Sequence, residues 1–456
     1  MIIALPILYT ALFIWLISRV KFFRNSGLSF KTILFLFALK LIAGVGLTLV
    51  YTYYYTDKST SDIYKYFDDG KVIYNVLKES PADYAKLVTG IGANDTTLTH
   101  YLDDTKNWHE QSGEWLDLIN VKNFNYFNSN RLVTRFNAVV MIFSQGNIYV
   151  HVVFMCFLGL IGGIALYRAL AQYYQQKEKL LLLLIFLLPG VLFWQSGVLK
   201  EGLLIFFTGL FIYNFFAVFN KPNYYLNVAV ALVSLFFIVL CKYYVAIAMA
   251  PGIVAYTLWA LTGKINAGYK FAYTFMVMML AMVVILYAAP QYNPLNTLCD
   301  KRDEAIKSAI FGEAKEILFF DKVTPYPADV AAKIPEIIKL SFIEPMKVTP
   351  QPFILMATLE NLLVLALLLL FIIYAQRRIE QPAVFWFLIS YSLLMLFIIG
   401  FTTPVSGGLV RYKTAAIPFL LMAILMLCKP INWKYFNSAI NTPPNVGGVA
   451  QIAGVV

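Results

Sequence analysis

The stretch Ser61-Asp62-Ile63-Tyr64-Lys65-Tyr66-Phe67-Asp68-Asp69-Gly70 combines carboxylates and phenols at helical spacing. On a helix, Asp62, Tyr66 and Asp69 share one face, at separations of four and three residues. A carboxylate there can take a proton from an acceptor hydroxyl as general base, or hold a divalent cation. The competing reading is that Asp62 caps the helix it opens. Asp68 and Asp69 read as solvated charges.

Three further stretches carry cations. In Pro189-Gly190-Val191-Leu192-Phe193-Trp194-Gln195-Ser196-Gly197-Val198-Leu199-Lys200-Glu201, Lys200 is a natural phosphate contact beside Glu201, and Trp194 fits an interfacial aromatic belt. In Thr402-Thr403-Pro404-Val405-Ser406-Gly407-Gly408-Leu409-Val410-Arg411-Tyr412-Lys413, the two glycines permit close backbone approach. Arg411 there offers a bidentate fork, and Lys413 adds charge; the plainer reading is a loop with positive anchors at a helix end. Lys242-Tyr243-Tyr244 supplies a fourth cation or an interfacial anchor. Lys200, Lys242, Arg411 and Lys413 are thus expected to converge on one anionic headgroup. Glu360 and Lys40 lie inside apolar runs, where charge is costly and needs a cavity or a partner. Pairing Lys40 with Glu360 is one way to satisfy both; a hydrogen bond between helices is another. His100, His109 and His151 show no zinc-site spacing.

The elements that must position these residues follow from composition. The 456-residue chain is 60% hydrophobic and 13% charged, with mean hydropathy +0.69. Soluble proteins carry about 25% charged residues. This excludes a cytosolic enzyme, a nucleic-acid binder and a disordered chain, and predicts an all-α polytopic membrane protein. The net charge of +11 reads as basic residues gathered in cytoplasmic loops. Eleven apolar runs predict spans at 2–18, 32–53, 147–167, 180–194, 202–219, 226–241, 245–261, 271–289, 353–374, 383–401 and 415–428. The fourth ends at Pro189-Gly190, so a break is expected there, and 132–146 is expected as an interfacial or re-entrant helix.

The predicted organisation is two spans in 1–53, an extracytoplasmic segment with amphipathic helices in 54–135, and spans three to eight in 136–289. A second extracytoplasmic segment follows in 290–352, then spans nine to eleven in 353–428 and a cytoplasmic tail in 429–456. One set of connections holds fourteen basic residues and the opposite short connections hold four, which predicts the amino terminus outside and the carboxyl terminus inside. Of the 25 acidic residues, twelve fall in 54–135 and nine in 290–352. Only Glu178, Glu201, Glu360 and Glu380 remain for the membrane region and short loops. Segments this long are usually functional or disordered, and the apolar periodicity from Asp62 to Lys78 argues for an amphipathic helix on the bilayer surface. Cys156, Cys241, Cys299 and Cys428 are too far apart for a metal or disulfide framework. The first apolar run lacks a basic region before it and is expected to be retained as a span.

With these residues in view, the plan resembles the GT-C superclass of polytopic glycosyltransferases, which use polyprenyl-phosphate-linked sugars. In that class an acidic residue in the first large outer loop is the catalytic base or a metal contact; the matching position is Asp62. Late outer cations, often in an Arg-Tyr pair followed by proline, contact the lipid phosphate; the match is Arg411-Tyr412 with Pro418 beyond. The Pro189–Glu201 stretch is also similar to a turn in bacterial membrane proteins of a Bacteroidetes branch. The large loop follows the second predicted span rather than the first, and no Asp-x-Asp motif is present.

The resemblance implies sugar transfer at the outer face of a bacterial inner membrane. Asp62 would be the catalytic residue, and Lys200, Glu201, Lys242, Arg411, Tyr412 and Lys413 would bind the donor. A divalent cation is the one cofactor it allows. The implied partners are a polyprenyl-phosphate-linked sugar or glycan and membrane lipid, with no nucleic acid. A lipid-linked glycan polymerase or O-antigen-type ligase fits the same plan. A transporter, flippase or envelope-complex subunit would instead put the weight on Lys40 and Glu360.

Overall fold

The computed structural model describes residues 3–53, 58–91, 96–106, 108, 129–220, 224–262, 266–312, 314, 316–347, 352–376 and 379–429. Among the described residues the protein is helical throughout, with two isolated bridges as the sole extended pairing. The chain opens with α1 (Ala4–Arg19), α2 (Lys21–Arg24) and α3 (Phe30–Tyr53). The first large segment holds α4 (Asp62–Glu79) and α5 (Pro81–Thr89), followed by α6 (Ser129–Ser144). The central block is α7 (Ile148–Leu170), α8 (Glu178–Phe186), α9 (Pro189–Trp194), α10 (Lys200–Val218), α11 (Tyr225–Leu261) and α12 (Ala267–Ala288). The second segment holds α13 (Pro294–Phe311), α14 (Pro327–Ala332) and α15 (Ile334–Phe342). The chain continues with α16 (Pro352–Ile373), α17 (Pro382–Thr402), α18 (Ser406–Lys413) and α19 (Ile417–Leu427).

By length and composition, seven helices among the described residues can cross a membrane, or eight if the bent pair α18–α19 is one span. This differs from the eleven expected runs at four places. The first run is a 16-residue helix, shorter than a full crossing. The fourth is broken between α8 and α9, where Leu188 is extended before Pro189. The run 415–428 folds as the 11-residue α19, bent 44° from α18. The runs 226–241 and 245–261 form one hydrogen-bonded element whose sole non-helical residue is Lys242 (φ −156°, ψ 90°).

That residue reverses the chain. Phe237 stacks on Phe207, Lys242 reaches Glu201 at the start of α10, and Tyr256 packs on Phe215, Phe216 and Phe219 at its far end. One leg therefore runs antiparallel to α10 and the other parallel to it. At 1.5 Å per residue the 37 residues would otherwise extend about 55 Å, well beyond a bilayer core of about 30 Å.

Helices α7 and α10 form the centre and pack through glycine. A Cβ on Gly209 would stand 1.9 Å from the Gly162 carbonyl oxygen, and one on Gly162 would stand 2.3 Å from that of Ile205. Small residues let helix backbones approach this closely. Gly209→Ala is expected to cost about 1–3 kcal/mol through overpacking, read as a lower thermal midpoint in detergent. Gly46→Ala, with nothing within 4 Å of the added Cβ, is the control and should leave the midpoint unchanged or raised.

Both large segments sit at one end of the bundle. The α4 helix packs on α6 at Gly70, where a Cβ would stand 2.6 Å from Asn137 Cβ. Tyr66 donates to Asn130 and Tyr84 to the Ala138 carbonyl. Asp69, expected in solvent, is buried and accepts from the Lys106 N–H at 2.7 Å; Asp68 is half-buried. In the second segment the buried Arg302 guanidinium binds Asp321, Glu336 and the Phe401 carbonyl and stacks 3.7 Å from the Phe319 ring. The Leu318 N–H donates to the Pro404 carbonyl at 2.7 Å, tying this segment to the loop that leads into α18. At the opposite end Lys177 donates to the carbonyls of Leu425, Met426 and Cys428, a cation closing a helix carboxyl end. Of the expected tail, Lys429 alone falls within the described residues.

Candidate functional site: a buried ion cluster at the segment-covered end

Four separate helix ends deliver charge to one recess. Lys200 and Glu201 occupy the first turn of α10, after Leu199 in an extended conformation. Asp62 is the first helical residue of α4. Arg411 and Lys413 are in the last turn of α18, and Lys242 is the reversal point of α11. Carboxylates near helix amino ends and a cation near a carboxyl end agree with the helix dipoles. Asp62 is not the cap that its position suggested. Ser61 holds the cap position, its hydroxyl donates to the Lys58 carbonyl, and the Asp62 side chain is left to reach across the recess.

Glu201 Oε1 accepts from Lys242 Nζ at 2.7 Å and lies 2.9 Å from Arg411 Nε. The Arg411 contact lacks hydrogen-bond geometry, so it is a charge contact, and Arg411 Nε has no hydrogen-bond partner. Arg411 Nη1 donates to Asp62 Oδ2 at 2.6 Å. Aromatic rings line the cations. Lys242 Nζ stands 4.0 Å from the Tyr412 ring centre, while Lys200 stands 5.9 Å from Tyr66 and Arg411 5.9 Å from Trp194. Such faces attract cations. Side-chain exposure is 2% for Glu201, 6% for Lys242 and 11% for Arg411, but 43% for Asp62. Solvent therefore reaches the cluster at Asp62. Three cations and two carboxylates leave one net positive charge.

Burial pushes the Asp62 carboxyl up, but the Arg411 charge and hydrogen bond, with Lys200 behind them, outweigh it and hold it below the ordinary carboxylate range. Burial and the neighbouring Asp62 charge push the Tyr66 phenol up, so Tyr66 is a neutral hydroxyl at physiological pH. Trp194, expected in an aromatic belt, is buried with its indole N–H unpartnered, as is Glu201 Oε2. Nothing in the sequence marked this Trp as a wall of the recess except its place six residues before Lys200.

The expected convergence of four cations is one of three. Lys413 lies two positions after Arg411, about 200° around a helix, and turns away. Its Nζ donates to the Glu344 carbonyl at 2.8 Å and to Asn361 Oδ1 at 3.0 Å, beside Glu360. The Lys40–Glu360 pair does not form. Lys40 Nζ reaches the Gln195 carbonyl at 3.5 Å and Ser196 Oγ at 3.4 Å. Glu360 instead lies against Gly190, where a Cβ would stand 2.5 Å from its carboxylate. Each charge found a nearer partner on the broken α8–α9 segment or on α18.

Among the described residues no three His, Cys, Asp or Glu side chains gather as a metal site, and Arg411 engages both carboxylates of the recess. His151 bridges Asn137 at 2.7 Å and Ser144 at 2.8 Å, tying α7 to α6. His109 lies outside the described residues. Compared with known proteins, the chain matches no family model, and no curated protein or solved structure shows significant similarity to it, so its site is read from its own geometry.

Proposed function

We propose that the protein is an integral membrane glycosyltransferase that moves a sugar from a polyprenyl-phosphate donor to an acceptor hydroxyl at the outer face of a bacterial inner membrane. The observation that carries this reading is the cluster of buried Lys242 and Arg411 with half-buried Lys200, and with Asp62 at its exposed edge. The basic residues expected at the end opposite the recess support reading that end as cytoplasmic, with the recess outside. Helix α1, the two legs of α11, the broken α8–α9 segment and the bent α18–α19 pair are then read as crossings beside the other six long helices, eleven in all.

The donor phosphate enters a site with one surplus positive charge. It competes with Asp62 for Arg411 Nη1, because a phosphate oxygen accepts charge-assisted hydrogen bonds from the same fork. Once the phosphate holds Arg411, burial acts on Asp62 with less opposition and its carboxyl rises toward the range in which it takes a proton. Asp62 then deprotonates the acceptor hydroxyl as that oxygen attacks the anomeric carbon. The bond from that carbon to the phosphate oxygen breaks, and the cations hold the departing charge. Stabilising charge where it develops is commonly the largest catalytic contribution. Helices α4 and α15 flank this end and limit access of water.

The test is transfer from a labelled polyprenyl-phosphate sugar in proteoliposomes. Asp62→Asn is expected to slow transfer by about 100-fold or more, the contribution of a positioned base, with normal protein levels. Wild-type transfer in Asp62→Asn removes Asp62 as base. The depressed Asp62 carboxyl supports a second reading, a polymerase or ligase of lipid-linked glycans that depends on Arg411 alone. In that case Arg411→Ala abolishes transfer while Asp62→Asn retains most of it.

A further inference from the structure

Beneath the ion cluster, two small cavities flank the break between α18 and α19. One, of about 20 Å³, is lined by Gln195, Glu201, Thr208, Tyr391 and Thr414 among apolar residues. The other, also about 20 Å³, is lined by Glu360, Asn361, Lys413 and Thr414. Thr414 belongs to both. A volume above about 10–15 Å³ holds one water if two to four polar partners surround it. Both cavities meet that size.

Unpartnered atoms mark the first cavity. Glu201 Oε2 and Thr208 Oγ1 are buried without a hydrogen-bond partner, and both residues line it. Glu201 serves two cations through Oε1 alone, so an Oε2 left without a partner is a costly state for a buried charged group. At the second cavity, Gly190 has no side chain, and that absence makes room for the Glu360 carboxylate. Between them the Thr414 hydroxyl donates to the Arg411 carbonyl at 2.7 Å, with its lone pairs left to accept. An oxygen-lined pocket also suits a monovalent cation, but the cluster next to it already carries one surplus positive charge, and Lys413 lines the other pocket. A neutral occupant is the better fit.

We propose that each cavity holds one water molecule and that the two waters, with Thr414 between them, form a hydrogen-bonded path from Glu201 to Glu360. The path connects the recess to a carboxylate that otherwise lies among apolar helices. For a proton to cross, the Thr414 hydroxyl turns from the Arg411 carbonyl toward one water and gives it its own proton as it takes a proton from the other water. Only the two carboxylates change charge. This gives Glu360 a role that does not depend on sugar transfer: it exchanges protons with the recess through the helix break.

The test has a structural arm and a spectroscopic arm, both on the full-length protein in nanodiscs. A cryo-electron microscopy map that resolves waters should show one peak in each cavity. In Thr208→Val the peak beside Glu201 should disappear, while in Thr414→Ser both should remain. Empty cavities overturn the proposal, as does a peak that becomes strongly scattering when potassium is replaced by thallium(I), the mark of a cation. In infrared difference spectra after a pH jump, the Glu360 carboxyl band is the one lost in Glu360→Gln. Its response should slow at least tenfold in Thr414→Val and recover in Thr414→Ser. A wild-type rate in Thr414→Val, or no Glu360 response between pH 4 and 9, overturns the path.

Discussion

Arg411→Ala is expected to be among the most damaging single changes in the molecule. It removes a group that touches both carboxylates of the recess, at 2.9 Å from Glu201 and 2.6 Å from Asp62. Breaking a buried pair by deleting one partner costs about 3–5 kcal/mol, because the remaining charge is left uncompensated. Glu201, almost fully buried, keeps Lys242 at 2.7 Å, which offsets part of that cost, and Asp62 is open enough for solvent to screen its share. A drop in thermal midpoint of several degrees in detergent and loss of transfer in proteoliposomes are the two readouts. Arg411→Lys restores the charge without the planar fork and should recover stability more than transfer.

Arg411 also sets a pH dependence. Its charge and hydrogen bond hold the Asp62 carboxyl below the ordinary range. A group depressed in the folded state contributes stability that is fully present above its unfolded pKa and is lost as pH falls through the folded value. Wild type should therefore keep this contribution through mildly acid pH and lose it below about 4, the ordinary aspartate value. In Arg411→Ala the Asp62 carboxyl moves up from its depressed value, so its share of the acid loss shrinks or reverses, and the variant should lose less stability than wild type as pH falls through this range. Identical acid midpoints in the two proteins would sink this account of Asp62.

Glu201→Gln is the second large effect. The substitution keeps the shape and removes the anion that Lys242 and Arg411 share. The recess then carries two surplus positive charges, and the expected destabilisation is again about 3–5 kcal/mol. This variant also probes anion binding. A ligand that binds only the folded protein stabilises it by about 2.7 kcal/mol at one hundred times its dissociation constant. Inorganic pyrophosphate should therefore raise the thermal midpoint of Glu201→Gln more than that of wild type, and more than chloride does at equal ionic strength. Equal responses to pyrophosphate and chloride would show that the cations do not form an anion site.

The cluster was legible because charge is rare in this chain outside its two large segments. With four acidic residues left for the membrane region, Glu201 stood out beside Lys200, and so did the Arg411-Tyr412 pair. Asp62 was visible from helical spacing, but its role as a first-turn residue rather than a cap depended on Ser61 turning its hydroxyl to the Lys58 carbonyl. What sequence spacing could not give was azimuth. Arg411 and Lys413 look equivalent in a string of letters, and a helix sends them to opposite sides of α18. Lys40 and Glu360 looked like partners because both were stranded in apolar runs, yet the broken α8–α9 segment supplies backbone groups to each. The eleven runs and the seven long apolar helices differ mainly where helices bend or break, because hydropathy averages over the break.

The reversal at Lys242 makes one consequence plain. A turn built from one residue has no slack: an insertion or deletion beside it would rotate the following leg by about 100° and carry Tyr244 and everything behind it out of register with α10. Composition along that leg can drift under selection, since many apolar side chains suit lipid, but its length is pinned to the residue. Indels should thus be tolerated far less at this corner than point changes, and a deep mutational scan that includes both would make the contrast visible.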